Sequence, residues 1–258
     1  MKTIEKTLDI LEVFLKQKGE IGIVELVNLS GFNISAVHRI ASTLVRRGYL
    51  SQQRKGEKYS LSPKLLQFSS VIRERMKIGD VALPYLLKLN KLVDETVNLA
   101  VLDDNGAVFI EVVESSHYLR TFPQLGAKEP LHCTGVGKVF LAHLRDEELE
   151  RFLNSKGLPD YTENTITDVS KLKQELSIIK REGTAIDNEE FEPGVKCVAS
   201  PIKDANGNVG AAVSISAPSA RLHSERVEEL KPLVKSCALE ISQAMGYVGE
   251  RSSLPASR

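Results

Sequence analysis

Between Ile23 and Gly48 two short apolar stripes at helical spacing follow one another with almost no chain between them. Ile23, Val24, Leu26 and Val27 make the first, which stops at Ser30-Gly31. Val37, Ile40, Ala41, Leu44 and Val45 make the second, which starts after Asn33, a competent N-cap, and ends at Gly48. Two amphipathic helices joined by a Gly-containing turn of about four residues form a helix-turn-helix, whose second helix enters the major groove of DNA. An earlier stripe, Ile4, Leu8, Leu11 and Leu15, ended by Gly19, predicts a helix that packs against the pair. The second helix leaves Asn33, Ser35, Ala36, His38 and Arg39 facing outward on its first turns, small or hydrogen-bonding groups able to approach bases and phosphates.

Residues 49–61 then predict two strands joined around Lys55-Gly56, the wing of a winged helix-turn-helix, with Arg54, Lys55 and Lys58 placed for sugar-phosphate or the minor groove. A small helical core carrying a solvated hairpin fits the same pattern, so charge is the arbiter. The chain holds 34 Lys and Arg against 34 Asp and Glu, but the balance is uneven: residues 1–79 carry 14 against 7, and residues 80–258 carry 20 against 27. A basic N-terminal part joined to an acidic larger part favours a polyanion as partner of the first alone.

Ser62-Pro63 predicts the start of a linker helix through Leu65, Leu66, Ser69, Ile72 and Met76 to Gly79, followed by a second helix that Asp80 caps. The linker's apolar stripe needs cover from a neighbouring domain or a second subunit. Strands are predicted at 98–102 and 107–113, flanking Asp103-Asp104-Asn105-Gly106, and at 118–122, 183–187, 197–203 and 209–217, the last two joined by Asn206-Gly207. Helices are predicted at 136–144, 146–153, 170–181 and 224–246. Mostly antiparallel strands interrupted by helices give an α+β sheet domain, with a polar tail beyond it.

Within that domain, Gly135-Val136-Gly137-Lys138 opens an apolar helix, so its backbone N–H groups favour a carboxylate; a turn needing glycine for tight packing fits equally. A phosphate loop does not fit, because the earlier glycine is missing and Val139 stands where Ser or Thr is required. Ser214 and Ser216 put two hydroxyls on one strand face, which meets either a polar ligand or solvent. Asp187 and Cys197 bracket a Pro193-Gly194 turn that can bring both into one cavity. An acid whose carboxylate is held elsewhere would present a hydroxyl to Asp187, which suggests a keto- or hydroxy-acid, while Cys197 is a packing contact or a redox sensor. The five histidines are scattered and the three cysteines, Cys133, Cys197 and Cys237, lie far apart, so no catalytic pair, metal site, cofactor site or disulfide framework is indicated. No stretch approaches ~18 apolar residues and no export segment follows the charged N-terminus, so a cytoplasmic protein without membrane contact is expected.

Glu25-Leu26, Gly31, Ser35, Val37-His38-Arg39, Tyr59-Ser60-Leu61, Pro130-Leu131-His132, Gly135-Val136-Gly137-Lys138, Asp187-Asn188-Glu189-Glu190, Gly194-Val195-Lys196-Cys197 and Ser214-Ile215-Ser216 stand in an order and spacing that resembles the IclR family of bacterial transcription regulators over residues 2–247. The resemblance implies a winged helix-turn-helix at 1–62, a linker helix at 63–79, a GAF-like effector-binding domain with an antiparallel sheet at 80–247 and a flexible tail at 248–258. It implies a homo-oligomer, dimer or tetramer, on a pseudo-palindromic double-stranded operator, a repressor of a catabolic operon answering to a small organic acid. Gly135, Val136, Asp187, Cys197, Ser214 and Ser216 match the family's effector contacts, and Tyr118, Thr121 and Glu129 its variable pocket-lining places. Asn33, Ile34 and Ala36 depart from the family's usual proline, polar residue and threonine, which points to a different operator sequence. Two competing readings are an enzyme acting on a small organic acid in the larger domain, separable by turnover, and an architectural DNA-binding protein without a ligand.

Overall fold

The computed structural model describes residues 2–17, 19–52, 54, 58–75, 77–104, 106–155 and 157–249, and the chain divides into two compact units, Met1–Met76 and Lys77–Arg258. The smaller opens with α1 (Lys2–Lys16), α2 (Ile23–Ser30) and α3 (Ile34–Arg46). Gly31 ends α2 in the left-handed conformation (φ 68°), its N–H bonding to the Val27 carbonyl, a geometry that glycine adopts without the Cβ penalty. Asn33 caps α3 as expected: its Oδ1 accepts from the Ala36 N–H at 2.9 Å. Val37, Ile40, Ala41 and Leu44 of α3 pack with Leu26 of α2 and Ile10 and Phe14 of α1.

Helix α1 forms, but not on the expected stripe. Ile4, Leu8 and Leu15 are more than half exposed, Leu11 alone of the expected four packs against the core, and the core takes Ile10 and Phe14, an apolar face offset from the one that the spacing suggested. Both faces of α1 are apolar enough to be buried; the contact with α2 and α3 selects one.

The wing is shorter than expected. β1 (Leu50–Ser51) pairs antiparallel with β2 (Ser60–Leu61), and a bridge between Ile21 and Tyr59 ties the hairpin to the segment before α2. Arg54 and Lys58 are exposed; Lys55 and Gly56 lie outside the described residues. The linker helix expected to run unbroken to Gly79 is divided: a 3-10 turn, Pro63–Leu65, capped by Ser62, leads into α4 (Leu66–Arg75), and α5 (Ile78–Val93) begins before Gly79. Gly79 is buried inside α5, where a Cβ would stand 3.3 Å from Glu111 Oε1, and Asp80 sits in the first turn, not at the cap. Close approach, not termination, accounts for that glycine.

The larger unit continues with β3 (Thr96–Asp103), β4 (Gly106–Val113), β5 (Lys128–Glu129), α6 (Gly135–His143), α7 (Asp146–Ser155), α8 (Val169–Glu182), β6 (Ala185–Asn188), β7 (Val195–Lys203), β8 (Val209–Pro218) and α9 (Ser224–Ala244). Its six strands form one antiparallel sheet in the order β5-β4-β3-β8-β7-β6. Residues opposite one another share a face. Leu99, Val198, Val213 and Ile215 fill the face toward α5 and α9; Ala100, Ala185, Ala199 and Ala212 fill the other, where their small side chains let α6 lie close. The expected strand at 118–122 is a loop instead. Its Tyr118 is fully exposed, and the outer edge of β4 pairs instead with β5, a two-residue strand opposite Ala107 and Val108 that the sequence pattern did not reveal. Asn105 of the first hairpin and the tail from 250 lie outside the described residues.

Candidate functional site

Two arrangements of side chains can do chemistry, one in each unit. In the smaller, the outward surface of α3 carries Asn33, Ser35, His38 and Arg39, all exposed, with Ala36 half-buried beside them. The cap spends the Asn33 Oδ1 on the helix and leaves its Nδ2 to act as a donor. Further along, Thr43 turns back to the Arg39 carbonyl at 2.9 Å, while the Arg39 side chain itself is exposed. Lys64 donates to the Arg47 carbonyl at 2.8 Å and lies over the Tyr49 ring at 4.6 Å, which pins the end of α3 to the chain after the wing.

In the larger unit the register assembles a polar row. Asp187 faces Cys197, Cys197 faces Ser216 and Ser216 faces Thr96; one step along, Ala199 faces Ser214 and Ser214 faces Asn98. Four strands thus deliver their polar side chains to the face that packs on α6, and Ser214 and Ser216 are buried there, not turned to solvent. Asn98 Nδ2 donates to Ser216 Oγ at 3.0 Å and to Ser214 Oγ at 3.3 Å, and Cys197 Sγ donates to Ser216 Oγ at 3.1 Å.

The N-terminus of α6 lies against this row. A Cβ on Gly135 would stand 3.3 Å from Ala199 Cβ and 3.5 Å from Cys197 Cβ. Thr134 caps the helix, accepting from the Gly137 N–H at 3.1 Å, and the amides of Gly135 and Val136, which have no intrahelical acceptor, carry the positive end of the helix dipole. Gly137 has a different role: a Cβ there would fall 2.5 Å from the Leu131 backbone, so packing alone requires glycine. Gly135 and Val136 are therefore the positions of that motif whose amides are left open toward the row.

Asp187 is buried at 3 % exposure and accepts from the Glu190 N–H at 2.8 Å. Burial pushes its pKa from 3.8 up to about 7, with Glu190 adding to the rise and Lys138 opposing it. Glu129 on β5 is raised to about 7 as well, by burial and then by the charge of Asp187. In the unfolded chain Asp187 ionises from about pH 4, and in the fold only near 7, so its contribution is full below 3.8 and lost as the pH climbs through 7. The melting temperature of Asp187→Asn relative to the parent is thus expected to rise between pH 4 and 7 and level off above, read by scanning calorimetry. A flat difference would place an unperturbed carboxyl at this position.

Behind the row, Lys138 Nζ, 1 % exposed, meets Glu190 Oε1 at 2.5 Å and Glu175 Oε1 at 3.4 Å. Neither Lys138 nor Glu190 was singled out by sequence reasoning as anything but part of a motif. The signal was there: a lysine inside the otherwise apolar run GVGKVFLA has to be buried and paired. Asn98, at the head of an apolar strand, was missed for the same reason. Thr121 reaches the row, donating to the Ser216 carbonyl at 3.3 Å, but the exposed Tyr118 does not. The Tyr118–Thr121 loop is held by Arg221, which grips Glu95 at 2.5 and 2.7 Å and donates to the Leu119 carbonyl.

The alternative chemistry finds no support in the geometry. Cys133 is buried, with its thiol pushed far up, and His132 bonds to the Pro159 carbonyl at 2.9 Å and is lowered by burial. Among the described residues no group of three or more His, Cys, Asp or Glu is placed to hold a metal ion. A cleft of about 880 Å³ between β7 and α9 opens on the other face of the sheet, and two of its lysines are occupied, Lys231 by Glu228 and Lys235 by the Glu182 carbonyl. Among the described residues no helix is long and apolar enough to cross a membrane.

Residues 71–243 match the family model described as bacterial transcriptional regulator IclR C-terminal, and residues 3–54 match the IclR helix-turn-helix domain. The HTH-type transcriptional regulator KdgR of Escherichia coli K12 is 34% identical over 247 residues, 96% of this chain and 94% of that protein. The transcriptional repressor IclR of the same organism is 31% identical over 248 residues, 95% and 90% of the two chains. Among solved structures, the Thermotoga maritima IclR superposes with a TM-score of 0.81 at 34% identity, covering 96% of this chain and 100% of that one. An IclR homologue from Microbacterium hydrocarbonoxydans complexed with 4-hydroxybenzoate has a TM-score of 0.79 at 25% identity, covering 94% and 98%.

Proposed function

The chain belongs to the IclR family of bacterial transcriptional regulators, with a helix-turn-helix DNA-binding domain and a C-terminal effector domain, and from that premise we propose how it reads DNA and what it senses. Its α3 reads a pseudo-palindromic operator through Asn33, Ser35, Ala36, His38 and Arg39, while Arg54, Lys55 and Lys58 grip the flanking backbone. The effector is a small organic acid, either keto or hydroxy, held between the Gly135 and Val136 amides and the row of Asp187, Cys197, Ser214 and Ser216. Its carboxylate sits at the α6 N-terminus and its hydroxyl or keto end lies toward Asp187. One observation carries this reading: the strand register brings four separated polar residues to one buried face at the positive end of a helix. The relative complexed with 4-hydroxybenzoate, itself a hydroxy-acid, supports the same ligand class.

The protein acts as a homo-oligomer and represses a catabolic operon until the acid binds. Exposed apolar side chains on α1 (Ile4, Leu8, Leu15) and α4 (Leu66, Phe68, Val71, Ile72) support the first of these, since contact with a second copy would take them out of water. Sedimentation of the full chain is expected to give a dimer or tetramer at micromolar concentration, and a monomer there would count against it.

A thermal-shift panel of aromatic, sugar-derived and short-chain acids tests the effector reading. At least one acid is expected to raise the melting temperature and to change the affinity for DNA of the chain's own upstream region in gel shifts. Asp187→Ala is expected to abolish both responses; a retained response would move the pocket elsewhere. A coupling of ~1–3 kcal/mol between acid and operator is the expected size.

A further inference from the structure

We propose that Asn98, with the Cys197 thiol, fixes the Ser216 hydroxyl as a hydrogen-bond donor, so that the site accepts an oxygen with lone pairs, carboxylate or keto, and rejects an equally sized group bearing hydrogens. This deepens the effector reading and rests on it. Asn98 is fully buried on β3, opposite Ser214. Its amide nitrogen spans both serines, at 3.0 Å from Ser216 Oγ and 3.3 Å from Ser214 Oγ.

A hydroxyl has two lone pairs and one hydrogen. Both lone pairs of Ser216 are taken, one by Asn98 and one by the Cys197 thiol at 3.1 Å, which burial keeps protonated. Its hydrogen therefore points away from these two donors, and among the described residues neither serine hydroxyl donates a hydrogen bond. The amide Oδ1 is buried without a partner among the described residues, a state that calls for an explanation in a native fold. The first amides of α6, against the same row, are also donors. The corner is thus lined with N–H and O–H hydrogens, and the group that satisfies them carries lone pairs only. Asn98 is a positioning residue here: it acts through Ser216.

Calorimetric titration of the full chain with two pairs of probes, pyruvate against pyruvamide and 4-hydroxybenzoate against 4-hydroxybenzamide, reads the preference as a ratio of Kd values. The parent is expected to favour the acid in at least one pair. In N98A the hydroxyls are released to accept as well as donate, and the ratio is expected to fall about tenfold, the size of one hydrogen bond to a charged group. S216A is expected to lose as much, and N98A/S216A no more than S216A alone. An unchanged ratio in N98A, or losses that multiply in the double variant, overturns the proposal while leaving the effector site intact. Failure of every acid to bind the parent defeats the effector reading itself and this inference with it. Should N98A not fold, N98D is close in size and turns the serine hydroxyls to its own carboxylate; a parent-like ratio there overturns the proposal equally.

Discussion

Lys138→Met is expected to destabilise the larger unit by about 3–5 kcal/mol, the cost of leaving a buried carboxylate without its counter-charge. Glu190 is 5 % exposed, its Oε1 holds Lys138 and accepts from the Asn188 N–H at 3.3 Å, and its Oε2 has no partner among the described residues, so one long amide bond is what remains to it without the lysine. Glu175 also loses a partner but is partly in water and bears less of the loss. For a unit of this size the shift corresponds to about 10 °C in melting temperature. Pairing the change with Glu190→Leu is expected to return most of the loss, since an apolar pair of similar volume replaces a buried ion pair with little penalty. Differential scanning calorimetry of the two variants decides it; a single variant within 2 °C of the parent would mean that water reaches Glu190.

Arg39→Ala is expected to weaken operator binding by about 10- to 100-fold without changing the melting temperature, the size of a lost base or phosphate contact made by an arginine. Arg39 is exposed, and the α3 residues that build the core are Val37, Ile40, Ala41 and Leu44. Truncating it removes a side chain that the fold does not use. Gel shifts on the upstream region, with unrelated DNA as competitor, separate loss of reading from loss of charge: a base contact lowers the preference for the operator, a phosphate contact lowers all binding alike. Full affinity in the variant would remove α3 from its proposed role.

Much of this architecture was legible because it rests on local rules. Asn33 caps the helix that it announces, Gly31 ends the one before it, and the hairpin around Asp104 closes with Asp103 opposite Gly106. The two-residue period put Ser214 and Ser216 on one face, and the return of the chain between Asp187 and Cys197 set them opposite each other. What escaped was decided by distant partners. α1 presents two apolar faces, and only the contact with α2 and α3 chooses Ile10 and Phe14 over Ile4 and Leu8. Gly79 carries the mark of a helix end, yet the neighbouring Glu111 makes it an interior residue. The segment at 118–122 has strand composition, yet it is a loop whose Leu119 carbonyl accepts from Arg221. Asn98 is an unremarked polar residue until β8 sets it beside two serines 116 and 118 positions away.

Helix α6 has no solvent face: every residue from Gly135 to Ala142 is buried, and its lysine is moored to a carboxylate on α8 and to another just past β6. A rod clamped on all sides cannot swing by itself. Whatever pulls on its leading end drags α8 and the β6 edge along, so occupancy at one tip becomes a displacement of a whole flank of the unit. Slowed amide exchange along α8, more than 30 residues downstream in the chain, is where the arrival of a ligand should first be felt.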